Sequence, residues 1–248
     1  MRIPFIAGNW KMFKSRMETV DFAREFKQLY KDTDVRTAIC APYVHLDTLK
    51  EIFDGTQIKV GAQNVHFEDM GAFTGEVSAL MLEEIGVDYC IVGHSERRQY
   101  FAETDETVNK KLHKLFETSI VPIMCVGEVL EQREAGIETE VVKKQLRRGL
   151  SGIEEEQIKK LVIAYEPVWA IGTGLTASPL QAEEMCGIIR NTIDELYSPQ
   201  AGDGVIIQYG GSVKPANASE IMNMPQIDGC LVGGASLKPV DFMEIIDF

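Results

Sequence analysis

Eight short, continuously apolar runs recur along the chain, at 5–7, 37–40, 59–61, 89–92, 121–126, 161–164, 205–208 and 230–232. They do not alternate polar with apolar, so they read as strands covered on both faces rather than on one. Longer amphipathic stretches separate them. Residues 19–30 place Val20, Phe22, Ala23, Phe26 and Leu29 at helical spacing among Asp, Arg, Glu and Lys, and 104–118, 138–149 and 179–197 repeat the texture. Pro179 and Pro239 read as first-turn helix prolines. Strand and helix in strict alternation imply right-handed crossovers and a parallel sheet. Eight such units in 248 residues match the size of a closed (β/α)8 barrel. The rival, an open doubly wound sheet, calls for G-x-G-x-x-G after the first strand, where Gly8-Asn9-Trp10-Lys11 stands instead. No Pro/Ser-rich linker divides the chain, so one barrel domain over residues 1–248 is expected.

Composition sets the partners. With 45% apolar and 25% charged residues the chain has globular proportions. Its formal charge of −13 argues against nucleic acid and anionic membrane as partners. No apolar run reaches the roughly 18 residues of a membrane span, and polar Asn9 and Lys11 interrupt the N-terminus too early for a secretory signal. A cytoplasmic location is expected. Cys40, Cys90, Cys125, Cys186 and Cys230 form no C-x-x-C and read as buried, reduced thiols, with no metal site implied.

In a barrel, chemistry belongs on the loops that follow the strands. Asn9 and Lys11 follow the first strand, His94, Ser95 and Glu96 the fourth, and Glu166 the sixth. Taken alone, Lys11 reads as a solvated surface lysine, Asn9 as a turn residue and an arbitrary histidine as structural. Of the four histidines, however, only His94 directly ends an apolar strand after a glycine. Glu166 follows Leu-Val-Ile-Ala-Tyr, where an unpaired buried carboxylate is costly. Gly210-Gly211-Ser212 and Gly233-Gly234 follow strands seven and eight, where backbone amides often hold phosphate, with Gly172-Thr173-Gly174 as a third donor loop. Simple tight turns are the plainer reading of those glycines. Together, a Glu, a His and a Lys beside a phosphate site point to proton transfer on a small phosphorylated substrate. No G-x-S-x-G elbow, P-loop or H-E-x-x-H is present.

The segments Ala-Gly-Asn-Trp-Lys-Met (7–12), Val-Gly-His-Ser-Glu-Arg-Arg (92–98), Cys-Val-Gly-Glu (125–128), Ala-Tyr-Glu-Pro-Val-Trp-Ala-Ile-Gly-Thr-Gly (164–174), Tyr-Gly-Gly-Ser-Val (209–213) and Leu-Val-Gly-Gly-Ala-Ser-Leu (231–237) resemble the triosephosphate isomerase family, in order and across the chain. The resemblance implies a TIM barrel that interconverts dihydroxyacetone phosphate and D-glyceraldehyde 3-phosphate through an enediolate, in glycolysis and gluconeogenesis, with no cofactor and no metal. It implies Glu166 as base, His94 as the group polarising the carbonyl, and Lys11 with Asn9 stabilising the developing charge. Gly172, Ser212, Gly233 and Gly234 are implied at the phosphate, Glu96 as a support for Lys11, and 167–177 as a lid. It also implies a homodimer built by the long loop 66–76, with Thr74 at its tip beside the partner's Asn9 and Lys11. Two departures stand out. Leu175 occupies a lid position where the family usually has Lys, and Ala7 a strand position where many members have Gly. A different phosphosugar barrel enzyme would not need both His94 and Glu166, and a barrel used only for binding would lack one of them.

Overall fold

The structure is a computed structural model and describes residues 2–31, 33–171 and 177–248. Its strands are β1 (Phe5–Asn9), β2 (Arg36–Ala41), β3 (Lys59–Ala62), β4 (Tyr89–Val92), β5 (Val121–Val126), β6 (Val162–Tyr165), β7 (Ile206–Tyr209) and β8 (Gly229–Val232). Each pairs in parallel with the next, and β8 pairs with β1 to close the barrel. The eight strands fall where the apolar runs place them, with ends shifted by a few residues. The ladder sets those ends: β1 continues to Asn9 because Asn9 pairs with Cys40, and β6 starts at Val162 because Val162 meets Ile123 and Ile206.

The runs are continuous because each strand faces two cores. Phe5, Ala7, Ala38, Cys40, Tyr89, Ile91, Ile123, Cys125, Val162, Ala164, Ile206 and Leu231 fill the barrel interior. The alternate residues, Ile6, Ile39, Cys90, Met124, Ile163, Tyr165, Ile207 and Val232 among them, pack outward against the helices. Successive side chains of a strand point to opposite faces. The inward parity brings Asn9, at the end of β1, and Glu166, Gly210 and Gly233, one step past the ends of their strands, to the same end of the barrel.

The helix 138–149 has the bounds that its periodicity predicts, and Pro179 and Pro239 open their helices. The first helix, Arg16–Leu29, starts three residues earlier than its apolar stripe. Ser15 caps it, and Glu18 Oε2 accepts the Ser15 N–H at 2.7 Å, a reciprocal arrangement that satisfies orphan amides. All five cysteines are buried and unpaired.

Candidate active site

The strand ends converge on a cleft of about 540 Å³, lined by Asn9, Lys11, His94, Glu166, Ser212, Gly233 and Gly234 among others. Seven residues singled out from sequence thus lie around one space. Glu96 lies just behind it, and Gly172 lies outside the described residues, as do 173–176 of the expected lid.

Glu166 is fully enclosed, and its carboxylate takes two bonds. Oε1 lies 2.9 Å from His94 Nε2, and Oε2 accepts the Ser95 N–H at 2.9 Å. Burial pushes the carboxyl up, but His94, the Ser95 amide and Lys11 together outweigh burial and hold it below the usual carboxylate range. Burial likewise pushes His94 down, while the carboxylate against its ring outweighs burial and holds it up. His94 Nδ1 accepts the Glu96 N–H at 3.2 Å, at the start of the helix Ser95–Tyr100. That bond assigns the ring proton to Nε2, because a proton on Nδ1 would break the bond and set positive charge against the helix N-terminus. His94 therefore offers one N–H donor, aimed at the cleft side.

Lys11 is held tightly. Its φ is 53°, in the left-handed region that a non-glycine residue occupies only under constraint. Asn9 Oδ1 accepts its backbone N–H at 3.0 Å, and Gln63 Nε2 donates to its carbonyl at 3.0 Å. The ammonium lies 2.8 Å from Glu96 Oε1. With its oxygen engaged, Asn9 keeps the amide NH2 as donor.

The two glycine loops are pinned from behind. Ser236 Oγ donates to the Gly233 carbonyl at 2.7 Å, while Asn217 Nδ2 donates to the Ser212 carbonyl at 3.0 Å. A Cβ on Gly234 would meet no described atom within 4 Å, and one on Gly233 only Lys11 Cε at 3.8 Å. The space that those glycines leave empty is the cleft itself.

Two buried carboxylates support this floor without having been singled out from sequence. Glu128 Oε1 accepts the Tyr165 hydroxyl at 3.0 Å and Trp169 Nε1 at 2.8 Å, gripping the segment just after Glu166. It ends a buried run after a glycine, the signal that marked His94, and could have been found that way. Glu103 accepts the Gly93 N–H at 2.8 Å and Arg97 Nε at 2.6 Å, and pairs with Lys111 at 3.0 Å. Nothing local in the sequence marks Glu103, because its partners come from three elements. Among the described residues no cluster of His, Cys, Asp or Glu could hold a metal ion.

An acid-base pair, a cation and two open amide loops around one barrel mouth suit phosphosugar chemistry, and comparison with known proteins narrows the choice. Residues 4–248 match the triosephosphate isomerase family. A triosephosphate isomerase of Acetivibrio thermocellus is 56% identical over 242 residues, spanning 98% of this chain and 96% of that protein. That of Alkaliphilus metalliredigens is 54% identical over 248 residues, the whole of both chains, and that of Clostridium tetani 53% over 248 residues, all of this chain and 97% of the other. With the fold, the placement of the strand-end residues and the end-to-end match in agreement, the chain belongs to the triosephosphate isomerase family.

Proposed function

We propose that this chain, acting as one barrel domain, interconverts dihydroxyacetone phosphate and D-glyceraldehyde 3-phosphate in glycolysis and gluconeogenesis. The observation that carries the reading is the contact of Glu166 Oε1 with His94 Nε2 at 2.9 Å on the cleft that Lys11 also lines. A bound carbonyl oxygen takes the His94 N–H in place of the carboxylate. Glu166, released, removes a proton from the neighbouring carbon, and the C–H electrons form the C=C bond of an enediolate. Lys11 and the Asn9 amide balance the charge that appears on oxygen. Glu166 returns the proton to the other carbon while His94 moves protons between the two oxygens. The open amides at Ser212, Gly233 and Gly234 hold the phosphate, with Gly172 as a fourth group. Every electron pair is accounted for within substrate and side chains.

The chain further reads as a cytoplasmic homodimer. Among the described residues no helix is long and apolar enough to cross a membrane. Met12, Met70, Phe73 and Phe101 leave large apolar surfaces exposed. A second cleft of about 280 Å³ shares Asn9, Lys11 and His94 with the first and is also lined by Tyr43, Gln63, Asn64 and Phe101. The loop 66–76 of a second copy suits that slot. Phe67 adds little to that exposed surface, since it is half-buried and stacks on His66 at 4.4 Å.

Purified protein should convert dihydroxyacetone phosphate to glyceraldehyde 3-phosphate in an assay coupled to glyceraldehyde 3-phosphate oxidation. Glu166→Asp withdraws the carboxylate by one methylene, and a displacement near 1 Å costs about 100-fold in rate. The drop is expected in kcat with KM little changed. A Glu166→Asp enzyme with wild-type kcat would remove Glu166 from the role of base.

A further inference from the structure

Two loops at the mouth of the cleft end in the same way. Gly210-Gly211-Ser212-Val213-Lys214-Pro215 follows β7, and Gly233-Gly234-Ala235-Ser236-Leu237-Lys238-Pro239 follows β8. In each the proline opens a helix of eight residues, Pro215–Met222 or Pro239–Ile246, and the lysine is its N-cap. Lysine suits that position badly. Its side chain has no oxygen to accept orphan amide protons, and its charge opposes the positive end of the helix dipole. Asp241 offsets Lys238 across one turn at 3.5 Å. Lys214 has no carboxylate partner among the described residues. A residue that opposes its own helix at two equivalent places answers to something outside the helix.

The cleft supplies that reason. Lys214 and Lys238 line it together with Lys11, three lysines against the carboxylates of Glu166 and Asp241. The whole chain carries −13, a field that repels an anion. Salt screens that field beyond about 8 Å at physiological ionic strength, so charges at the mouth decide what an arriving dianion meets. Both rim lysines are exposed, and each stands at the helix end of its loop, beyond the residues proposed at the phosphate, Ser212, Gly233 and Gly234.

We infer that Lys214 and Lys238 are capture residues, which draw the phosphate dianion of the substrate to the cleft and raise the rate of productive encounter without contacting the reacting carbons. The inference rests on the triose phosphate reading above, and the experiment separates the two. Lys214→Glu/Lys238→Glu, the matching Gln pair and the wild type are compared for kcat and kcat/KM from about 10 mM salt upward. Electrostatic steering spans about 10- to 1000-fold in encounter rate. The Glu pair should lose about tenfold in kcat/KM at low salt, with the gap narrowing as salt rises and kcat staying within about twofold. The Gln pair should fall between, with a Tm at or above that of the wild type because an unfavourable charge leaves each helix. D-Glyceraldehyde, which has no phosphate, should be turned over equally by all three. An unchanged kcat/KM, a loss that salt does not relieve, or a loss shared by D-glyceraldehyde overturns the inference while leaving the isomerase reading intact. A wild type inactive on triose phosphates overturns both.

Discussion

A base must be ionised when its substrate arrives, and Glu166, the proposed base, meets that condition only through its neighbours. Burial alone would push its carboxyl up; His94 is the largest of the contacts that pull it down. In His94→Gln the imidazole is gone while the burial remains, so the carboxyl should titrate higher. The acid limb of the residual kcat/KM should therefore move to higher pH than in the wild type, as a pH profile would reveal. The limb belongs to the coupled pair rather than to either residue. Glu103 answers a related question about stability. Its carboxyl is also held below the usual 4.5, burial being outweighed by Lys111, the Gly93 amide and Arg97. A folded-state pKa below the unfolded one contributes stability above the unfolded value and loses it as pH falls through the folded value. Glu103→Gln leaves Lys111 and Arg97 without their carboxylate, and breaking a buried pair costs about 3–5 kcal/mol. Urea unfolding should show that deficit in full at pH 7 and a narrowing gap below about pH 4.5. A gap independent of pH would mean that the pairing does not set Glu103's charge.

At the scale of elements, strands were more legible than helix starts, and the shortest helices were not legible. A parallel strand buried on both faces writes a short, continuous apolar run, and that signal marks all eight strands. The start at Arg16 is fixed by the Ser15–Glu18 exchange, which lies outside the apolar stripe that periodicity detects. Helices such as Ser95–Tyr100 and Leu130–Glu134 are too short to show a period. The site was legible where one residue follows one strand, as with Asn9, His94 and Glu166. It was not legible where function rests on contacts between distant elements, as with Gln63 on Lys11 or Glu128 on Trp169. Gly127 belongs to the second kind. A Cβ there would fall 1.7 Å from the Glu166 carbonyl oxygen, inside the joint between the ends of β5 and β6. Gly127→Ala should shift the strand end that carries Glu166, the proposed base, costing about 1–3 kcal/mol in stability and a clear loss of kcat. Gly204→Ala, where a Cβ meets nothing described within 4 Å, is the control and should change neither. Equal behaviour of the two variants in thermal melts and assay would show that the strand end tolerates the displacement.

The whole molecule brings Glu166 and His94 together within one barrel, yet Lys11 also borders a second cleft that a single copy leaves open. Lys11 sits in a strained backbone conformation and lines two clefts, one facing the glycine loops and one opening beside Tyr43 and Phe101. Strain persists only where surroundings over-determine it. On the second side Gln63 and Glu96 hold Lys11, and around them stand exposed apolar side chains, with Met12 93% and Phe101 65% accessible. Meanwhile the loop 66–76 carries Met70 and Phe73 outward, exceeding the usual 2–6 residues of a βα loop. In a two-fold assembly each loop can fill the other copy's second cleft, since the same patch serves both partners. Assembly would then complete the packing around Lys11, and activity would depend on it. Phe73→Asp/Thr74→Asp places two charges in that contact without altering any group proposed to touch substrate. The wild type should sediment as a dimer at micromolar concentration. The double variant should sediment as a monomer, melt at lower temperature, and lose kcat along with assembly. A monomeric variant with undiminished kcat would show that each barrel holds Lys11 unaided, and a monomeric wild type would leave the second cleft without its proposed occupant.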